Sequence, residues 1–324
     1  MYCGVRESRE GSAMDQTVIG MCSAGVVLLA VAALAARNAV AGAAGTGKIV
    51  ALGNLCIAVP LAVFGALHLF GPGLVFDIVP EYMPWRIFWV YFVGAALVAS
   101  SVSIATGVLL RWSGLLLGLM MLLFVAMIHL PGALGDPHDR FIWTIVLREM
   151  SFGGAGLILA GTVQSGWPAT MKSALRGTGR VLITMTVLFF AVEHFLHPTG
   201  LPGVPLRKET PVWVPWREVV DYLTGAALLV TGASVFRREL TRSVAAWTGG
   251  WLLLLILLIY VPVMVGALAG TEAGAAVQGI NYCADTLLFA GVILALAKAP
   301  SQGVTNVHAG RAKGETVDEL KGLG

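Results

Sequence analysis

Pro84-Trp85-Arg86-Ile87-Phe88-Trp89-Val90-Tyr91-Phe92-Val93-Gly94-Ala95-Ala96-Leu97 returns, partly altered, as Pro215-Trp216-Arg217-Glu218-Val219-Val220-Asp221-Tyr222-Leu223-Thr224-Gly225-Ala226-Ala227-Leu228. The Pro-Trp-Arg triplet, the tyrosine and the Gly-Ala-Ala-Leu run all recur at one offset, 131 residues. That offset also sets Arg111 against Arg242, His129 against Tyr260 and Pro131 against Pro262. A gap-free register over about 48 residues is hard to reach by chance, even in a chain rich in Leu and Ala. The match reads as an internal duplication of a membrane bundle. Trp85, Arg86, Tyr91 and Gly94, with Trp216, Arg217, Tyr222 and Gly225, form its shared scaffold.

Outward from that stretch, composition points the same way. Of 324 residues, 57% are hydrophobic and only 12% charged, and the mean hydropathy is +0.83. A water-soluble chain of this length needs far more charge to cover its surface. No basic run with interleaved aromatics is present, which argues against a nucleic-acid partner. The four cysteines (Cys3, Cys22, Cys56, Cys283) make no CxxC pair and read as small apolar side chains rather than a disulfide framework or a metal site.

A helix crossing a bilayer needs roughly 20 mostly apolar residues. Eight segments meet that need: Ile49–Phe70, Ile87–Leu110, Trp112–Leu134, Phe141–Val163, Val181–Leu196, Val219–Phe236, Ser243–Leu268 and Ala273–Ala297. Backbone groups in lipid must be satisfied within the segment, so the fold class is all-α, a polytopic helix bundle. A ninth segment, Val18–Ala36, is readable as an extra span, an uncleaved anchor or a cleaved leader. Its apolar run exceeds a usual leader and its flank mixes Arg6 and Arg9 with Glu7 and Glu10, so we read it as an extra span. Met14 offers a second start, in which case residues 1–13 carry no structure. The expected organisation is an N-terminal segment over 1–47, four-helix repeats over 48–165 and 180–298, and a disordered tail over 299–324.

Thirteen Lys or Arg residues flank the spans on the side of the C-terminus, against six on the other. The positive-inside rule then places the C-terminus in the cytoplasm of a multi-pass protein of the bacterial inner-membrane type. Each repeat has an even number of spans, so the two run in the same direction through the membrane. On this reading His68, His129, Arg148, Glu149, Glu193 and His194 lie toward the outer ends of their helices, and Asp285 lies near mid-span. An ionisable group inside a membrane costs several kcal/mol unless paired or hydrated. His68, His129, Glu149, Glu193, His194 and Asp285 are therefore expected to form a polar cluster opening outward.

Each of these residues also has a plainer account. A histidine at a helix end can simply anchor at the interface, and a Trp-Arg pair can be an aromatic belt with a snorkelling cation. Asp136, His138, Asp139 and Arg140 read as a solvated loop, and Met120, Met121 and Met127 as core filler. Comparing the halves separates the cases. Phe64-x3-His68-x3-Pro72 matches Phe190-x3-His194-x3-Pro198, whereas Arg148-Glu149 meets Cys283-Ala284. Chemistry peculiar to this chain is expected among the residues that do not recur.

His68-Leu69-Phe70-Gly71-Pro72, then Phe76-Asp77-Ile78-Val79-Pro80, then Met83-Pro84 leads into the helix holding Gly94-Ala95-Ala96-Leu97. That order, with Arg111 before the third helix and His129 at its far end, resembles the DoxX-like family of four-helix membrane proteins. The resemblance covers residues 55–160 well and 186–297 more weakly, because the loop Leu201–Val214 is expanded and lacks the Phe-x-x-Val-Pro element. Two units in one chain depart from the family's usual single unit. The resemblance implies an auxiliary, non-catalytic subunit of a quinone-linked oxidoreductase, with a membrane or soluble enzyme as partner. No nucleotide, haem-attachment or metal motif is present, so no cofactor is expected from the residues themselves, and a bound quinone comes only from the resemblance. The rival expectation is a proton-coupled secondary transporter of a small solute, using Glu149 or Asp285.

Overall fold

The computed structural model describes residues 2–164 and 166–298. The tail read as disordered, 299–324, lies outside the described residues. Among those residues no strand forms, and the chain folds into nine long helices. They are α1 (Tyr2–Gly42), α2 (Gly53–Phe70), α3 (Arg86–Thr106), α4 (Leu110–Gly135), α5 (Arg140–Thr162), α6 (Ala169–Leu196), α7 (Arg217–Ser234), α8 (Arg238–Leu255, Ile256–Tyr260 and Val261–Ala269 in one rod) and α9 (Ala273–Lys298).

Eight helices are long and apolar enough to cross a membrane. They comprise seven of the eight expected segments together with the N-terminal one. The exception corrects the expectation for Val219–Phe236. The helix there, α7, is only 18 residues long and carries Arg217, Glu218 and Asp221, so no window of it is apolar enough. In the other direction α6 begins twelve residues before the expected Val181. Lys172, Arg176 and Arg180 interrupt the hydropathy of its first turns without breaking the helix. Large side chains such as Val26, Leu34, Phe88, Leu116 and Leu257 are exposed on the outer faces, as lipid contact requires.

The helices pack in chain order, neighbour against neighbour. The closest pairings are α5 with α6, α2 with α3 and α4 with α5, and α9 returns to pack against α2. Helices α5 and α9 also meet across the middle. This contact divides the ring into two lobes, one enclosed by α2, α3, α4, α5 and α9, the other by α6, α7, α8 and α9. Helix α1 lies outside the ring against α2, α3 and α9.

Several details recur in both lobes. Trp85 and Trp216, each immediately before a helix, take left-handed backbone angles (φ 54° and 49°) rare for bulky residues. Helices α4 and α8 each contain one π-helical turn, Val125–His129 and Ile256–Tyr260. Each turn is followed by a proline, Pro131 or Pro262, whose missing N–H and ring exclude the ordinary bond to the carbonyl four residues back. In α4 that carbonyl, Met127 O, accepts instead from the Tyr82 hydroxyl at 3.2 Å. The π turns matter for the site because they set the direction of their last residues, His129 and Tyr260.

The contact of α5 with α6 is a backbone-to-backbone crossing. A Cβ on Gly179 would lie 2.4 Å from Gly154 O, and one on Gly154 would lie 2.8 Å from Gly179 O. Gly179→Val is therefore expected to lower stability by about 1–3 kcal/mol, seen as a reduced melting temperature in detergent. Gly177→Val, where a Cβ meets nothing within 4 Å, should leave it unchanged.

Candidate functional site

The first lobe is not filled. It encloses a cavity of about 620 Å³ between α2, α3, α4, α5 and α9. Most of the wall is apolar or aromatic, including Leu61, Phe64, Trp89, Phe92 and Phe152. Met120, Met121 and Met127 line it as well; Met121 is at the same time part of the hydrophobic core, with Met120 packed against it. Ionisable or amide side chains enter from four helices: His68 from α2, His129 from α4, Arg148 and Glu149 from α5, and Asn281 and Asp285 from α9.

Arg148 organises the charged end. Its two terminal nitrogens are each 2.9 Å from a carboxylate oxygen, one on Glu149 and one on Asp285. The three side chains are 17%, 11% and 9% exposed. Adjacent residues on a helix point about 100° apart, yet the long guanidinium reaches back to its neighbour while also crossing to α9. The cation ties α5 to α9, and it leaves the cavity wall with two acids and one base. Arg148 also stands over the Phe152 ring, at 5.8 Å.

Two polar atoms of this wall remain buried without a hydrogen-bond partner, Arg148 Nε and Asn281 Oδ1. A buried donor or acceptor left unpaired costs about 1–3 kcal/mol. One such donor and one such acceptor belong to residues that line the same cavity, although the atoms themselves are covered. His68 adds a defined third point. Its Nδ1 lies 2.8 Å from Phe64 O, an acceptor only, so Nδ1 carries the proton and Nε2 of the neutral ring is an acceptor.

The six residues expected to gather in one cluster divide between the lobes. His68, His129, Glu149 and Asp285 line the cavity. Glu193 instead pairs with Arg140 at 2.6 Å, away from it. His194 faces the second lobe, with Nδ1 2.8 Å from Asp221 Oδ1. The loop expected to be solvated has structural work: Asp139 caps α5 by accepting from Phe141 N at 2.8 Å, and it pairs with Arg207. Of the scaffold residues, Arg86 donates to Val79 O (2.9 Å) and Phe76 O (3.1 Å), holding the turn beside the cavity mouth. Gly94 and Gly225 let α3 and α7 approach the β-carbons of His68 and His194, where an added Cβ would lie at 2.9 and 3.0 Å. Trp85 and Trp216 are exposed, and Tyr222 stacks on Phe195 at 6.3 Å. Tyr91 is exposed too, while Arg217 is half-buried at the start of α7.

Sequence reading missed two features. Asn281 stands one turn before Asp285 on α9, and this spacing within an apolar span was its available signal. The second is the loop Leu201–Val214, read from the sequence only as expanded relative to its counterpart. Residues 201–206 are all buried inside the second lobe. Gly203 N donates to His194 Nε2 at 3.1 Å, and the Tyr260 hydroxyl donates to Pro202 O at 2.9 Å. Alternation of Pro and Gly with Leu and Val (Leu201-Pro202-Gly203-Val204-Pro205-Leu206) was its only signal.

Among the described residues, no group of three or more His, Cys, Asp or Glu side chains is placed to hold a metal ion. Compared with known proteins, the chain matches no family model, no curated protein and no solved structure.

Proposed function

We propose that this chain is an auxiliary membrane subunit that binds a lipid-soluble molecule with a polar head, of the quinone class, in the first-lobe cavity. One observation carries the reading: a cavity of about 620 Å³ with mostly apolar walls, into which a few polar side chains converge, His68, His129, Arg148, Glu149, Asn281 and Asp285. That combination is typical of small-molecule sites, where a few polar groups orient a ligand held by apolar contact. The ring would lie among Trp89, Phe92 and Phe152, with its oxygens toward His129 and Arg148 and, in the quinol form, a hydroxyl donating to His68 Nε2. Glu149 and Asp285 then serve to hold the guanidinium rather than to react.

The DoxX-like resemblance supports the accessory role, with an oxidoreductase as the partner that carries the redox chemistry. The paired left-handed tryptophans, the paired π turns and the matched glycine contacts support the internal duplication. On the charge asymmetry of the loops, the cavity end of the bundle faces outward and the C-terminus is cytoplasmic.

Solvent extraction of the purified protein tests the binding. Protein from a quinone-containing host should carry about one quinone per chain, and His129→Leu should reduce this severalfold while leaving the melting temperature nearly unchanged. Quinone-free protein would remove the reading.

A second reading, a proton-coupled carrier, is favoured by the Arg148–Asp285 pair, because the pair joins the two halves where many carriers place their coupling groups. Reconstituted in liposomes, such a carrier would move protons on addition of solute, and Asp285→Asn would abolish the movement.

A further inference from the structure

The two lobes present corresponding positions to their interiors; the first holds the cavity, and the second holds the buried segment 201–206. In the second lobe Gly203 sits among His194 of α6, Leu252 and Tyr260 of α8, and Thr286 of α9. At the offset of 131 residues, Leu252 corresponds to Met121 and Tyr260 to His129; His194 corresponds to His68 through the Phe-x3-His-x3-Pro match. Met121, His129 and His68 all line the first-lobe cavity. The segment Leu201–Leu206 therefore occupies, in the second lobe, the place that is empty in the first.

The way it is held is informative. Pro202 C=O and Gly203 N–H belong to one peptide group. Tyr260 donates to its oxygen and His194 accepts from its nitrogen, so a single secondary amide is gripped at both ends. His194 accepts in the tautomer whose Nδ1–H faces the Asp221 carboxylate, 2.8 Å away; its Nε2 also lies 3.2 Å from Gly203 O. In the first lobe His68 has the same polarity, since Nδ1 is committed to Phe64 O.

We infer that the segment 201–206 is a built-in ligand of the second lobe, and that the first-lobe cavity takes a molecule with the same polar edge: a secondary amide on a branched apolar body. His68 would accept from its N–H and His129 would donate to its C=O. The inference rests on the first-lobe cavity being a ligand site, and it does not rest on that ligand being a quinone.

The probe is the acetylated, amidated hexapeptide Leu-Pro-Gly-Val-Pro-Leu, titrated calorimetrically into the full chain in nanodiscs. Its companion carries an ester in place of the Pro-Gly amide, which removes the N–H and little else. The amide peptide should bind, and the ester peptide should bind about tenfold more weakly, as expected for one buried hydrogen bond. His129→Leu should weaken the amide peptide, and Tyr260→Phe should not. Equal binding of the two peptides would reveal mere partition into the bilayer and overturn the inference. Sensitivity to Tyr260 instead of His129 would overturn it too, because the peptide would then be displacing the resident segment. A short-chain quinone that binds where the amide peptide does not would overturn the amide assignment and leave the cavity's role as a ligand site intact.

Discussion

Arg148→Met is expected to be the most damaging single substitution in the molecule, lowering stability by about 3–5 kcal/mol. The guanidinium is the common partner of Glu149 and Asp285, and both acids are nearly enclosed. Its removal leaves two like charges facing one cavity with no cation, and in a bilayer neither is readily hydrated. The acids must then take up protons or draw water into the lobe, and the join between α5 and α9 is lost in either case. Asp285→Asn removes one acid while Glu149 still neutralises the arginine, so its cost should be distinctly smaller. The triple variant Arg148→Met, Glu149→Gln, Asp285→Asn should regain much of the loss, because an unpaired buried charge is worse than no charge at all. Melting temperatures in one detergent, with size-exclusion profiles to follow folding, would rank the three. If Arg148→Met proved no worse than Asp285→Asn, the acids would be hydrated independently of Arg148, and the cation would not be what closes the charged end of the cavity.

The same cluster shows how far sequence carries. Hydropathy alone gave the helices, because a bilayer admits so few alternatives. It misjudged α7, where Arg217, Glu218 and Asp221 offset a short apolar run, and it placed the start of α6 too late, because basic residues at an interface lower hydropathy without ending a helix. The polar residues were legible as a set, since each is costly where it stands. Their partition was not. Glu193 and His194 are adjacent in sequence, yet one reaches Arg140 at the periphery and the other points into a different lobe. Which way a helix is turned depends on its neighbours, and no single segment encodes that. The π turns were latent in Pro131 and Pro262. The inward course of 201–206 depended on a vacancy between helices distant in sequence, and was beyond reach.

That inward course depends on one glycine, which yields the second large effect. Gly203 has φ +121°, a conformation that side chains rarely adopt, and an added Cβ would lie 3.2 Å from Thr286 and 3.3 Å from Leu252. Gly203→Ala thus meets backbone strain of about 1–3 kcal/mol together with crowding from two helices. The segment can relieve both only by shifting away from His194 and Tyr260, which gives up the two hydrogen bonds that hold its amide. The consequence extends beyond stability, because Leu201, Val204 and Leu206 are buried only while the segment stays inside. Gly203→Ala should lower the melting temperature by more than Tyr260→Phe, which loses one hydrogen bond and keeps the backbone path. It should also expose the segment 199–214 to protease in the folded protein. Gly200→Ala is the control: an added Cβ there comes no closer than 3.6 Å to His197 O, and it should change neither property. If Gly203→Ala behaved like Gly200→Ala, the amide clamp would contribute little to keeping the second lobe closed. The empty first lobe would then need a cause other than the absence of such a segment.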